Sequence, residues 1–168
     1  MAKIATSLVL AVALVATAGC AKKRIADVPP GPGADMGAPD NGSGEEQSSA
    51  LNEQFKREVS SNTINFAFDQ YDIDPEARAI LDSQARWLAA HPGVRITIEG
   101  HCDERGTREY NLALGDRRAN AAKNYLAARG ISPSQINTIS YGKERPVALG
   151  SDDSSWAQNR RAVTIVIS

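Results

Sequence analysis

"VRITIEGHCDERGTREYNLALGDRRANAAKNYLAARG", residues 94–130, holds two periodicities back to back. Val94, Ile96 and Ile98 alternate with Arg95, Thr97 and Glu99, the period-2 pattern of a strand with at least one buried face. From Glu109 to Arg129 the apolar positions Leu114, Ala121, Ala122, Tyr125 and Leu126 follow helical spacing, and Gly130 stands just past the last of them as a C-terminal cap. A strand running into a long helix is the first half of a crossover unit, so the fold class depends on what flanks it.

Upstream, "TINFAF" (63–68) alternates Ile64, Phe66 and Phe68 in a strand pattern. Asp74-Pro75 opens a helix expected over about 75–90, with Asp as N-cap and Pro at the first helical position, and His91-Pro92-Gly93 ends it. Ala77, Ile80, Leu81, Gln84 and Leu88 form its inward stripe. Downstream, Ser132-Pro133-Ser134-Gln135 reads as a capping-box start for a single turn. "INTISY" then reads as a third strand, "GKERPVALGSDD" as a loop, "SSWAQN" as a short helix and "AVTIVI" as the last strand. The order β-α-β-α-β-α-β predicts one α/β (α+β) domain over residues 62–168. Its mixed four-stranded sheet contains parallel pairs, and its helices cross over one face.

The remaining chain is of another kind. Met1-Ala2-Lys3 and the apolar run Ile4 to Ala18 read as a secretory signal, the run being shorter than the ~20 residues that span a bilayer. Ala18-Gly19-Cys20 resembles the end of a bacterial lipoprotein signal covering residues 1–19, with Cys20 the acylated first residue; Thr17 stands where such signals usually carry Leu. Plain secretion with Cys20 as a free thiol is the alternative. Residues 20–61 are rich in Pro, Gly, Ser and acids and are expected to form a disordered tether, which reaches ~130 Å extended and averages ~35 Å as a coil. Within it Leu51, Phe55 and Val59 recur at i, i+4 and i+8, the mark of a short docking helix. The net charge of -1 gives no general attraction to nucleic acid.

"GHCDERGTREYN" (100–111) concentrates the chemistry. His101, Cys102, Asp103 and Glu104 are metal-ligand types, but neighbours on a strand point to opposite faces, and no recognised ligand spacing is present. No metal or cofactor is expected. Catalysis asks for groups brought together from distant positions, whereas Cys102 and His101 adjoin, as do Asp103 and Glu104. Most of the charges fit a solvated surface. Two do not: Asp103 ends a buried-type strand, and Arg118 lies on the helix's inward stripe between Leu114 and Ala122, where a charge needs a partner. With Cys20 acylated, Cys102 has no disulfide partner and is either a buried small residue or an exposed thiol.

"GHCDERGTREYNLALGDRRANAAKNYL", with "FAFDQYDI", "SYGKERP" and "WAQNRRA" in the same order, resembles the OmpA-like peptidoglycan-binding family over residues 62–168. The resemblance implies a non-enzymatic binder of the diaminopimelate residue of the cell-wall peptide. Asp103 would accept from its ammonium and Arg118 would grip its carboxylate, with Phe68, Asp69, Arg105, Asn111 and Leu114 around them. It also implies an outer-membrane lipoprotein on the periplasmic face, working with TolB and other Tol proteins in envelope integrity and cell division. The rival readings are a peptidoglycan-cleaving enzyme and a domain whose main ligand is TolB.

Overall fold

The computed structural model describes residues 42–167. The signal at 1–19, Cys20 and the tether up to residue 41 lie outside them. Four strands, β1 (Thr63–Asn65), β2 (Ile96–His101), β3 (Ile136–Gly142) and β4 (Arg161–Val166), form one sheet in the order β1-β4-β2-β3. β4 runs antiparallel to both neighbours and β2 pairs β3 in parallel, so the sheet is mixed, as expected. Among the described residues four α-helices accompany it: α1 (Gly42–Glu58), α2 (Pro75–Ala90), α3 (Arg108–Ala128) and α4 (Asp153–Asn159).

The crossover α3 is why β2 and β3 are parallel: a strand, a long helix and a second strand return the chain in the same direction. Ile96, Ile98, Ala162, Thr164 and Val166 point from the sheet into the core with Leu81, Leu88, Ala119, Ala122 and Leu126 of the helices, all buried. One polar cross-tie runs through that core: Thr164 donates to Gln84 Oε1 at 2.8 Å, and Gln84 donates to the Ser61 carbonyl at 2.9 Å. α3 lies unusually close to β2. A Cβ added at Gly100 would collide with the Gly115 carbonyl, so two glycines set the depth at which α3 sits.

The domain starts earlier than expected. α1 occupies what reads by composition as the end of the tether, and Phe55 is fully buried with its ring edge-on to Trp87, centroids 5.0 Å apart. Trp87 donates to Glu58 at 2.7 Å, and Asn52 accepts from the Val166 amide at 3.1 Å, joining α1 to the end of β4. The reason is local: Leu51, Phe55 and Val59 share one helical face, and that stripe finds Trp87 although the surrounding composition is polar.

Two smaller expectations are corrected. β1 stops at Asn65, so Phe66 is buried while Phe68 is 59% exposed, because the chain turns at Asp69, which adopts φ 58°. Ser132 makes no backbone cap. The turn Pro133–Gln135 is 3-10, Ser132 Oγ meets Ser134 Oγ at 2.8 Å, and the side chain of Gln135 donates through Nε2 to the carbonyls of Pro92 and Val94.

Candidate functional site

The sheet's mixed order brings the C-terminal end of β2 beside the start of α3, the β1–α2 loop and the segment leading into β4. A cavity of about 190 Å³ opens where these meet. All seven candidate residues line it: Phe68 and Asp69 from the β1–α2 loop, Asp103 and Arg105 from the β2–α3 loop, and Asn111, Leu114 and Arg118 from α3.

Arg118 forms the floor. It is fully buried, and burial pulls its basicity below the ordinary value. Its inward charge is met by backbone oxygens rather than by a carboxylate: Nε donates to Gln70 O at 2.8 Å, Nη1 to His101 O at 2.8 Å and Nη2 to Ala67 O at 3.2 Å. Three of the five guanidinium N–H groups are thereby committed to backbone oxygens, and the guanidinium also reaches the Cys102 thiol beside it.

Asp103 stands on the wall, 4% exposed. Burial pushes its carboxyl up, but hydrogen bonds from the Arg105 side chain and backbone and from Arg160 outweigh this and hold it below the usual range. Oδ1 accepts from the Arg105 amide (3.1 Å) and Nε (3.2 Å), while Oδ2 accepts from Arg105 Nη2 (2.6 Å) and Arg160 Nη1 (3.3 Å). The Arg105 guanidinium is itself clasped between two aromatic faces, with Phe68 4.2 Å and Trp156 4.1 Å from its central carbon. Trp156 donates in turn to Glu104 at 3.0 Å.

Asn111 fixes the loop above the pocket by donating to the carbonyls of Arg105 (2.8 Å) and Thr107 (3.1 Å). Thr107 caps α3 through its hydroxyl, which accepts from the Tyr110 amide, and Tyr110 donates to the Asp69 carboxylate. Cys102 lines the pocket as a buried residue, of the two states considered for it. Burial pushes its thiol up in pKa against the pull of Arg118, and it donates to the Asn111 carbonyl at 3.3 Å.

Tyr110, Cys102, Gly106 and Arg160 also line the cavity without having been singled out for it. Arg160 sits in "WAQNRRA", yet the sequence holds two adjacent arginines there, and only the structure tells them apart. Arg160 turns to Asp103 and to the Phe66 carbonyl (3.0 Å), whereas Arg161 is buried beyond it and donates to Asn159 O and Arg145 O.

With this geometry in place, comparison with known proteins adds the lineage. Residues 65–160 match the model of the OmpA family. The chain is 50% identical over 153 residues to a peptidoglycan-associated lipoprotein of Rhizobium meliloti (strain 1021), spanning 90% of this chain and 82% of that protein. It is 44% identical over 164 residues to one from Pseudomonas aeruginosa, spanning 96% of each. The crystal structure of the peptidoglycan-associated lipoprotein from Burkholderia pseudomallei superposes with a TM-score of 0.62 at 46% identity, covering 64% of this chain and 91% of that one. These relatives are named for an association with peptidoglycan, not for a reaction.

Proposed function

The chain belongs to the OmpA family, and from that premise we propose that it is a non-catalytic envelope protein which holds peptidoglycan through the diaminopimelate residue of the cell-wall peptide. The observation that carries this reading is the charge layout of the pocket. The carboxylate of Asp103 lies on one wall, the guanidinium groups of Arg118 and Arg160 lie beside it, and Phe68 and Leu114 supply apolar surface. Diaminopimelate ends in an ammonium and a carboxylate on one carbon, carried by a short aliphatic chain. Asp103 suits the ammonium, the guanidinium groups of Arg118 and Arg160 suit the carboxylate, and the apolar surface suits the chain.

Anchoring completes the function. Acyl chains on Cys20 hold the outer membrane from its periplasmic face, and the Pro/Gly/Ser-rich segment spans the gap to the wall. Ala18-Gly19-Cys20, and an Ala rather than Asp at position 21, support this. The same reading makes the protein the peptidoglycan-holding member of the Tol-Pal system, with TolB its chief protein partner.

Sedimentation with purified sacculi tests the pocket. Asp103→Asn removes one charge without changing size, leaves the ligand's ammonium uncompensated in a desolvated site, and is expected to cost ~2–5 kcal/mol of binding. That is roughly thirtyfold or more in affinity. A folded variant, checked by circular dichroism, that sediments as wild type refutes the assignment. Release of soluble muropeptides by the wild-type chain refutes its non-catalytic part, and failure to retain TolB in a pull-down removes the Tol partnership.

A further inference from the structure

Asp103 has no spare valence. An ionised carboxylate offers about four lone-pair directions. All four are occupied from within the chain: two by the Arg105 side chain, one by the Arg105 amide and one by Arg160. The amide is fixed by the backbone, and Arg160 is fixed by its second bond to the Phe66 carbonyl. The Arg105 side chain alone is free to leave. It is one-third exposed, and what holds it from outside are two stacked rings, Phe68 and Trp156, rather than buried polar partners.

Resting on the pocket reading above, we infer that Arg105 is an internal competitor for the ligand, its guanidinium occupying the place on Asp103 that an incoming ammonium must take. Binding is then an exchange of one cation for another on the same carboxylate. The Phe68–Trp156 clasp sets how firmly the resident cation is kept, and Gly106, at φ 91° directly after Arg105, gives the loop a hinge beside it. This differs from a role for Arg105 in gripping the ligand, because the two assign opposite signs to its removal. An arginine that touches the ligand favours binding, whereas an arginine that stands in the ligand's place opposes it. The exchange also keeps Asp103 compensated in the empty pocket, since a carboxylate 4% exposed would otherwise hold its charge against burial with fewer donors.

Titration calorimetry of the full chain with a soluble diaminopimelate-containing cell-wall tripeptide decides the matter. Arg105→Met keeps the aliphatic stem between the rings and removes the charge, and is expected to bind about threefold tighter or more, the order of a partly exposed ion pair. Trp156→Leu loosens the clasp and shifts affinity the same way by less. Tripeptide should also change the emission of Trp156 in the wild type as the guanidinium leaves its face, against the constant background of Trp87 sealed under Phe55. That change disappears in Arg105→Met. Weaker or unchanged binding by Arg105→Met, while Asp103→Asn loses roughly thirtyfold or more, overturns the competitor and leaves the pocket standing. Full binding by Asp103→Asn overturns the pocket reading, and the competitor falls with it.

Discussion

Three carbonyls, from Ala67, Gln70 and His101, converge on the Arg118 guanidinium, so this residue ties the β1–α2 loop to the end of β2 as well as facing the pocket. Arg118→Ala strands those oxygens in a buried site and is expected to destabilise the fold by ~3–5 kcal/mol, read as a lowered denaturant midpoint. Arg118→Lys restores the charge but not the three-way geometry and recovers little of the loss. Loss of peptidoglycan binding in either variant is therefore uninformative without the stability measurement. His101 supplies a different residue-level test. Its ring is 2% exposed, neither nitrogen has a hydrogen-bond partner among the described residues, and the carboxylate of Glu99 stands 3.4 Å away without hydrogen-bond geometry. Burial first, then the charges of Arg161 and Arg145, lower its pKa to about 4 from 6.5. The unfolded chain thus binds more protons between those values, so the stability His101 contributes is present above pH 6.5 and is lost as pH falls toward 4. The loss is on the order of 3 kcal/mol. His101→Gln should flatten that part of a stability–pH profile; an unchanged slope disproves the assignment. From sequence, Arg118 stood out because a charge on an apolar helical stripe needs a partner. That its partners are backbone oxygens was not legible, since they belong to loops whose path the side-chain pattern does not encode.

At the level of elements, α2 and α3 were legible to within a residue because their caps and stripes agree: Asp74 accepts from the Ala77 amide at 2.7 Å, and Gly130 adopts φ 91°. α1 shows where composition and periodicity conflict. Polar content assigned residues 42–58 to the tether, while Leu51, Phe55 and Val59 assigned part of the same segment to a helix, and the apolar stripe prevailed because Trp87 offers a surface to cover. Phe55→Ala is expected to cost ~3–5 kcal/mol, the range for a buried aromatic, and to expose Trp87. A shift in tryptophan emission at a reduced unfolding midpoint would be seen, and a midpoint equal to wild type would show that α1 contributes nothing to the fold. The pocket was partly legible at this scale. Residues 100–118 lie on one strand–loop–helix unit and could be placed together from the sequence, whereas Phe68 and Arg160 come from elements whose proximity depends on β4 lying between β1 and β2.

The whole molecule, as proposed, is held at both ends, by lipid at Cys20 and by the wall at Asp103. Cys20→Ala should release the protein from membranes in soluble form; a variant that stays membrane-bound, with no labelled fatty acid on the parent, rules out the anchor. Between those two grips lies α1, and its position gives it a mechanical part. Tension on the N-terminal side arrives first at a 17-residue helix fastened by the Phe55–Trp87 contact, the Glu58–Trp87 bond and the Asn52–Val166 bond, ahead of the sheet. Drawn out from ~1.5 to ~3.4 Å per residue, that helix yields roughly 30 Å of additional reach while the pocket keeps its shape. Single-molecule stretching between residue 20 and a wall-bound domain should show a low-force step of about that length before the main rupture, and the step should vanish in Phe55→Ala. On the proposed two-ended attachment, recoil of the membrane from the wall is expected to be absorbed by α1 before it reaches the bond in the pocket.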